Sequence, residues 1–202
     1  MEKIIEAILD KIPIEIKHKK EIKLFSLGKA IDLPKQSDYL CVNRKEFKSH
    51  SSVFQFLKST KLSDFFAHLE SNKIPTVYIF WINSSDPKTL NMIRDNYLNF
   101  DSKNQKHKIS VNPKIEKTQT LYVGKSEKNV DGRAICHLDY TGGQYKSLKI
   151  MECCGNIEIM VSIISFQIEE NDENYKFWKK ILPYTVEYFL AKNLNPLIGK
   201  HK

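Results

Sequence analysis

Apolar side chains at Ile4, Ile5, Ile8, Leu9 and Ile12 recur at intervals of three and four, which predicts an amphipathic helix over residues 2–12, stopped by Pro13. Residues 14–43 mix lysines with two short β-like runs, "EIKLFSL" and "DYLCV". The stretch "SSVFQFLKSTKLSDFFAHLE" (51–70) reads as one or two short helices with Ser51 and Ser63 as caps.

The pattern changes after Pro75. "TVYIFWI" (76–82) is a run of β-branched and aromatic residues and predicts a strand. "SSDPKTLNMIRDNYLNF" then places a Pro at a helix start and apolar residues at Leu90, Ile93, Tyr97 and Leu98. Residues 101–118 are polar and lean basic, with Lys103, Lys106, Lys108, Lys114 and Lys117 against Asp101 and Glu116, and predict a long loop, functional or mobile. A second strand is expected at "TQTLYVG" (118–124), a helix from about Val130 to Asp139, a break at Gly142-Gly143 and a short helix near 144–152. "IEIMVSIISFQI" (157–168) predicts another strand. The stretch 169–194 predicts a closing helix, capped near Asn171, with Asp172 and Glu173 in its first turn and Pro183 kinking or splitting it. Strands alternating with helices in this way predict a sheet with helices packed on it.

Composition narrows the class. With 202 residues, 41% hydrophobic and 28% charged, the chain can bury a substantial core and is too apolar for intrinsic disorder. The formal charge of +8 points to a polyanionic partner, since Lys and Arg release counterions from phosphate backbones, although an ordinary basic protein carries a similar excess. Cys41, Cys136, Cys153 and Cys154 form no C-x-x-C pair, so reduced thiols in a cytoplasmic protein are expected. The N-terminus does not read as a signal peptide, and no apolar run reaches membrane-spanning length.

The chemistry concentrates in "LYVGKSEKNVDGRAICHL" (121–138). Gly124-Lys125-Ser126 could close a phosphate-binding loop, but the first glycine of such a loop would stand at Gln119, and the residues before Gly124 read as a strand. Gly124 is instead expected to end that strand and leave room for a phosphate. Arg133 and His137, four apart, would share one helix face. Tyr122 closes the strand before them, and Tyr78 sits on the other strand in similar company, Val77-Tyr78-Ile79 beside Leu121-Tyr122-Val123. Two phenols, an Arg, a His and a downstream carboxylate suit phosphodiester hydrolysis. The Arg stabilises charge on phosphorus, a phenol or imidazole manages the proton of the attacking water, and the carboxylate fixes a divalent metal. Glu187 borders the apolar positions Leu190 and Leu194; a carboxylate there needs either a metal ion or an ion pair such as Lys192.

On these residues the chain resembles the GIY-YIG nuclease family. "VYI" at 77–79 and "LYVG" at 121–124 are similar to the two family signatures, and the block from Tyr122 to His137 is similar to the stretch that follows the second. "VEYFLAKNLNPLIGK" resembles the closing helix, with Glu187 at the metal-binding glutamate and Pro196 at the following Pro. The first signature lacks its glycine, and Gly199 stands where many members carry Asn.

The resemblance implies an α+β fold: a small three-stranded mixed or antiparallel sheet flanked by helices in the order β-β-α-α-β-α. That domain would cover residues 74–202, with an insertion at about 84–117 and an N-terminal extension, 1–73, serving substrate selection. It implies a metal-dependent endonuclease acting on phosphodiester bonds, most readily in DNA. Tyr78, Tyr122, Arg133, His137 and Glu187 would be catalytic, Gly124 and Lys125 would contact substrate, and Glu187 would bind Mg²⁺ or Mn²⁺. The alternative is an inactive nucleic-acid-binding module that keeps the fold.

Overall fold

In β2 (Thr76–Ile82) all seven residues are buried, and the unbroken apolar run that predicted this strand also explains its place: only a strand covered on both faces can bury every side chain. The computed structural model describes residues 1–12, 19–26, 73–82, 84, 86–103, 109–112, 118–127, 133, 137, 148–154, 157, 159–168, 170, 171 and 173–199. Along these run α1 (Glu2–Leu9), β1 (Lys19–Ser26), β2, α2 (Pro87–Lys103), β3 (Thr120–Ser126), α3 (Ile150–Cys154), β4 (Ile159–Gln167) and α4 (Tyr175–Leu194). The helices expected within 51–70, most of the Lys-rich loop and most of the helix expected at 130–139 lie outside the described residues.

The fold is α+β. The three strands of residues 74–202 form an antiparallel sheet, β4-β2-β3, and β1 of the N-terminal extension adds a fourth strand beyond β4, again antiparallel. β3 is therefore an outer strand. Its pairing with β2 runs from Thr76 opposite Ser126 to Phe80 opposite Tyr122, then slips so that Trp81 faces Thr120. The extra residue, Leu121, makes a bulge that turns both Leu121 and Tyr122 toward one side of the sheet.

That side is covered by α2 and α3: Tyr78, Phe80, Ile82, Val161 and Ile163 pack with Leu90, Ile93, Tyr97, Ile150 and Cys154. Leu90, Ile93 and Tyr97 follow the expected helical spacing, whereas Leu98, expected to join them, is exposed. The start of α2 is set by Asp86 just before Pro87; its carboxylate accepts the Lys88 N–H at 3.1 Å and the Thr89 hydroxyl at 3.2 Å. The opposite side is covered by α1 and α4, where Val77, Ile79, Trp81, Val123, Ile164 and Phe166 meet Ile5, Leu9, Val186 and Leu190. The Trp81 indole donates to Ser162 Oγ at 3.0 Å, so its one polar atom is satisfied within this core.

Two helix boundaries differ from the expected ones. α1 ends at Leu9, although Ile12 beyond it is still buried. α4 begins at Tyr175 with Asn174 before it and no side-chain cap, so Asn171 is not the cap and Glu173 stands ahead of the helix. Pro183 lies inside one continuous helix. A proline there costs about 3 kcal/mol, but Leu182, Val186 and Leu190 are buried on either side of it, at about 1.5–3 kcal/mol each. Packing outweighs the lost hydrogen bond.

After α4 the chain turns at Asn195, whose φ of 47° is the left-handed conformation that Asn tolerates well at a helix C-terminus. Leu197 and Ile198 N–H groups donate to Thr120 and Leu121 carbonyls, and on the other side Gly199 donates to Ser110 and Asn112 to Leu197. The chain after Pro196 is thereby tied to β3. Among the described residues no helix is long and apolar enough to cross a membrane.

Candidate active site

Alternation along β2 and β3 places Tyr78, Phe80, Tyr122 and Gly124 on one side of the sheet, with Tyr78 opposite Gly124 and Phe80 opposite Tyr122. Tyr78 and Tyr122 are thus diagonal neighbours, their ring centroids 6.2 Å apart. His137 closes the cluster. Its ring lies 5.1 Å from that of Tyr122 and 5.7 Å from that of Tyr78, and its Nε2 shares a 2.9 Å hydrogen bond with the Tyr78 hydroxyl. The phenol donates when Nε2 carries no proton. Phe80, which sequence reasoning passed over, stands edge-on to His137 at 6.3 Å. Its position two residues after Tyr78 on the same strand was the available signal.

Gly124 does not end its strand; Lys125 and Ser126 continue β3 beyond it. A Cβ at Gly124 would lie 2.5 Å from Tyr122 Cε1 and 2.8 Å from Tyr78 Cζ and its hydroxyl oxygen. The space a side chain would take is filled by two tyrosine rings rather than kept for a phosphate. The glycine is what lets both rings lie against the strand.

Exposure divides the cluster. Tyr78 is 0% and His137 2% exposed, whereas Tyr122, Arg133, Lys125 and Glu187 are half-buried. Of these half-buried groups, Tyr122 and Arg133 lie against the buried phenol–imidazole pair and form its rim. Arg133 and His137 are both helical and four residues apart, as expected.

Lys125 pairs with Val77 and so belongs to the other side of the sheet, the side on which α4 packs with Glu187. The expected site residues therefore do not share one face; they approach one another around the outer strand β3. Arg133 connects the two groups electrostatically, acting on Tyr78, Tyr122 and Glu187 alike.

Charge in the site follows from burial first. Burial lifts the Tyr78 phenol far above its ordinary range, and Tyr122 and Glu187 add to this while Arg133, by charge and a side-chain hydrogen bond, opposes it. Tyr122 is pushed up to about 12 by burial and by Glu187, again against Arg133. Both phenols are neutral hydroxyls at physiological pH. Burial also raises the Glu187 carboxyl, and Lys125 and Arg133 pull it back down. Lys125 itself sits 4.0 Å from Glu127 at the surface and 5.8 Å from the centre of the Tyr184 ring.

Glu187 forms no hydrogen bond or ion pair within 4.0 Å among the described residues, Lys192 included. Nor do three His, Cys, Asp or Glu side chains gather into a cage for a metal ion among those residues. The donor set fits a hard cation resting on one carboxylate, with water and substrate oxygens completing its shell, which is a common way of holding Mg²⁺.

Fold and side chains together define an α+β protein in which Tyr78 of β2, Tyr122 of the outer strand β3 and the helical His137 cluster beside an arginine and a half-buried carboxylate. No family model matches the sequence, and no curated protein or solved structure is significantly similar to it.

Proposed function

We propose that the chain is a metal-dependent endonuclease of the GIY-YIG type, acting in the cytoplasm on phosphodiester bonds, chiefly of DNA. The observation that carries this reading is the hydrogen-bonded Tyr78–His137 pair beneath Tyr122, with Arg133 coupled both to the phenols and to Glu187. Such a set supplies a proton path, a cation for the phosphorane and an oxygen ligand, the three needs of phosphodiester hydrolysis.

A free phenolate at Tyr78 is too costly to form in its buried setting, so Tyr78 works as a relay. It accepts the attacking water's proton as it passes its own to an unprotonated His137 Nε2, which leaves hydroxide for phosphorus and an imidazolium at His137. Tyr122, more open and still protonated near neutral pH, donates to a non-bridging phosphate oxygen. Arg133 neutralises charge that builds on phosphorus, and Lys125 holds an adjoining phosphate. Glu187 would hold Mg²⁺ or Mn²⁺, which supplies Lewis-acid stabilisation of the phosphate oxygens when bound. The N-terminal extension and the Lys-rich loop within 84–117 select the substrate through phosphate contacts that do not read sequence.

The burial of Tyr78 and His137 also favours a second reading, an inactive nucleic-acid-binding module in which the pair is structural. Incubation with supercoiled plasmid and short duplexes, with and without Mg²⁺ or Mn²⁺, separates the two. Metal-dependent cutting that disappears in both Arg133→Ala and Glu187→Ala supports the nuclease. Undiminished binding without cutting in either metal supports the module.

A further inference from the structure

Helix α4 buries Leu182, Val186 and Leu190 and turns the opposite side to solvent. On that side Phe177, Tyr184 and Tyr188 are 55%, 59% and 49% exposed, half of the six large hydrophobic side chains that are exposed among the described residues. At about 100° per residue the three fall within roughly 40° of one another, so they form a single stripe along the helix. Tyr184 and Tyr188 are separated by about 6 Å along the axis and Phe177 and Tyr184 by about 10 Å, spacings wider than the thickness of a stacked ring. Burying one face and leaving three aromatic rings on the other is an unusual use of a helix whose solvent side is otherwise polar.

The stripe is bordered by positive charge. Lys176 and Lys180 are exposed on the flank of α4 that also carries Glu187, and Lys125 reaches across from β3 with its ammonium 5.8 Å from the Tyr184 ring centre. That same lysine acts on Glu187, so one side chain joins the stripe to the candidate active site. Aromatic rings beside a row of lysines are complementary to one chemistry in particular: bases stacking on the rings while the backbone phosphates follow the cations. A second copy of the chain is a poorer occupant, because pairing α4 with itself would bring Lys125, Lys176 and Lys180 against their own counterparts.

We infer that the exposed face of α4 is a stacking platform for unpaired bases, and that Phe177, Tyr184 and Tyr188 hold a single-stranded segment whose phosphates run past Lys180 and Lys125. This rests on the nucleic-acid reading above and sharpens it: the preferred substrate has a single-stranded stretch beside the scissile phosphate, as at a flap, a gap or an unpaired end. Duplex ends with all bases paired would leave the platform unused.

The test measures binding to a fluorescein-labelled oligodeoxythymidine of about 12 nucleotides in metal-free buffer, next to an abasic strand of equal length and a fully paired duplex. Base-bearing single strand should bind on the order of tenfold tighter than the abasic strand, and Tyr184→Ala and Tyr188→Ala should each remove about that factor while leaving abasic binding unchanged. Tyr184→Trp should restore it. These side chains are exposed, and circular dichroism melting of each variant checks that its fold is intact. Equal affinity for the abasic and base-bearing strands, or wild-type affinity in Tyr184→Ala, overturns the platform. So does a concentration-dependent dimer in light scattering that Tyr184→Ala abolishes. Repeating the assay with Mg²⁺ on a duplex that carries a single-stranded flap of about 12 nucleotides, and reading cleavage on a gel, keeps the two ideas apart. Base-dependent binding without cleavage leaves the platform standing and overturns the nuclease, whereas cleavage with binding indifferent to Tyr184 and Tyr188 does the reverse.

Discussion

The two sides of the central sheet are built from the same strands, alternating residue by residue, yet they hold different things. One side of β2 and β3 presents Val77, Ile79, Trp81 and Val123 to α1 and α4, an apolar contact in which the Trp81 indole is paired with Ser162 and the charged groups, Lys125 and Glu187, are only half-buried. The other presents Tyr78, Phe80 and Tyr122, with a glycine opposite Tyr78 and a histidine bonded to its hydroxyl. An apolar side tolerates small repacking because contacts are non-directional. The tyrosine side is held by a hydrogen bond, a bulge and a missing Cβ, so its geometry depends on few atoms and cannot relax by degrees. Both sides bury an apolar core, but only the tyrosine side adds a directional hydrogen bond and a glycine-dependent contact to it.

Substitutions that strike one side and spare the other test that difference. Leu190→Ala, on the apolar side, should cost about 2–5 kcal/mol in urea unfolding yet leave the cleavage rate per folded molecule within about twofold. A loss of cleavage out of proportion to the unfolded fraction would mean that the two sides are coupled. Arg133→Ala should do the opposite, lowering the cleavage rate on the order of 100- to 1000-fold at unchanged melting temperature. If it melts early instead, the arginine is structural.

Gly124→Ala should cost about 1–3 kcal/mol, because both tyrosine rings must shift, and cleavage should fall with it. An alanine variant of wild-type stability would show that the rings have other places to go. Tyr78→Phe leaves a buried imidazole nitrogen without its phenol and should cost about 1–3 kcal/mol; the His137 ring signals in the NMR spectrum should move with it. A Phe variant with an unmoved His137 signal would remove the relay.

The smallest effect concerns Glu187. Its folded-state carboxyl titrates above the unfolded one because of burial, so the native state holds that proton more tightly. Its contribution to stability is then greatest in acid and is lost as pH rises through the folded value. Glu187→Gln should gain stability relative to wild type over that same rise, read as a shift in urea midpoint. A shift of the opposite sign would mean that attraction to Arg133 and Lys125 outweighs the burial.

Much of this was legible in the chain. β2 and β4 announce themselves as β-rich runs, α2 by Pro87 and its apolar spacing, and Arg133 and His137 by an interval of four. Other features were not. Leu98 fits the helical pattern but is exposed, because periodicity states which residues share a face and not how wide the covered stripe is. Pro183 does not split the closing helix in two, because buried neighbours override a local cost. Gly124 reads as a strand end, since its reason for being glycine is two rings that meet over it, one of them from a strand more than forty residues earlier.

Sequence alone was enough to place β2, α2, β3, β4 and α4 to within a few residues, together with the basic charge and the set of chemically capable side chains, because propensity, periodicity and charge are local properties of the chain. The tertiary structure decided that β1 joins the sheet, that β3 lies at its outer edge, and that Lys125 and Glu187 approach Arg133 and Tyr122 around that edge. It also decided that Tyr78 and His137 are sealed beneath the rim while Tyr184 and Tyr188 stand in solvent. Those outcomes depend on strand order and register, which are settled by contacts between residues far apart in the chain, and no local pattern carries them.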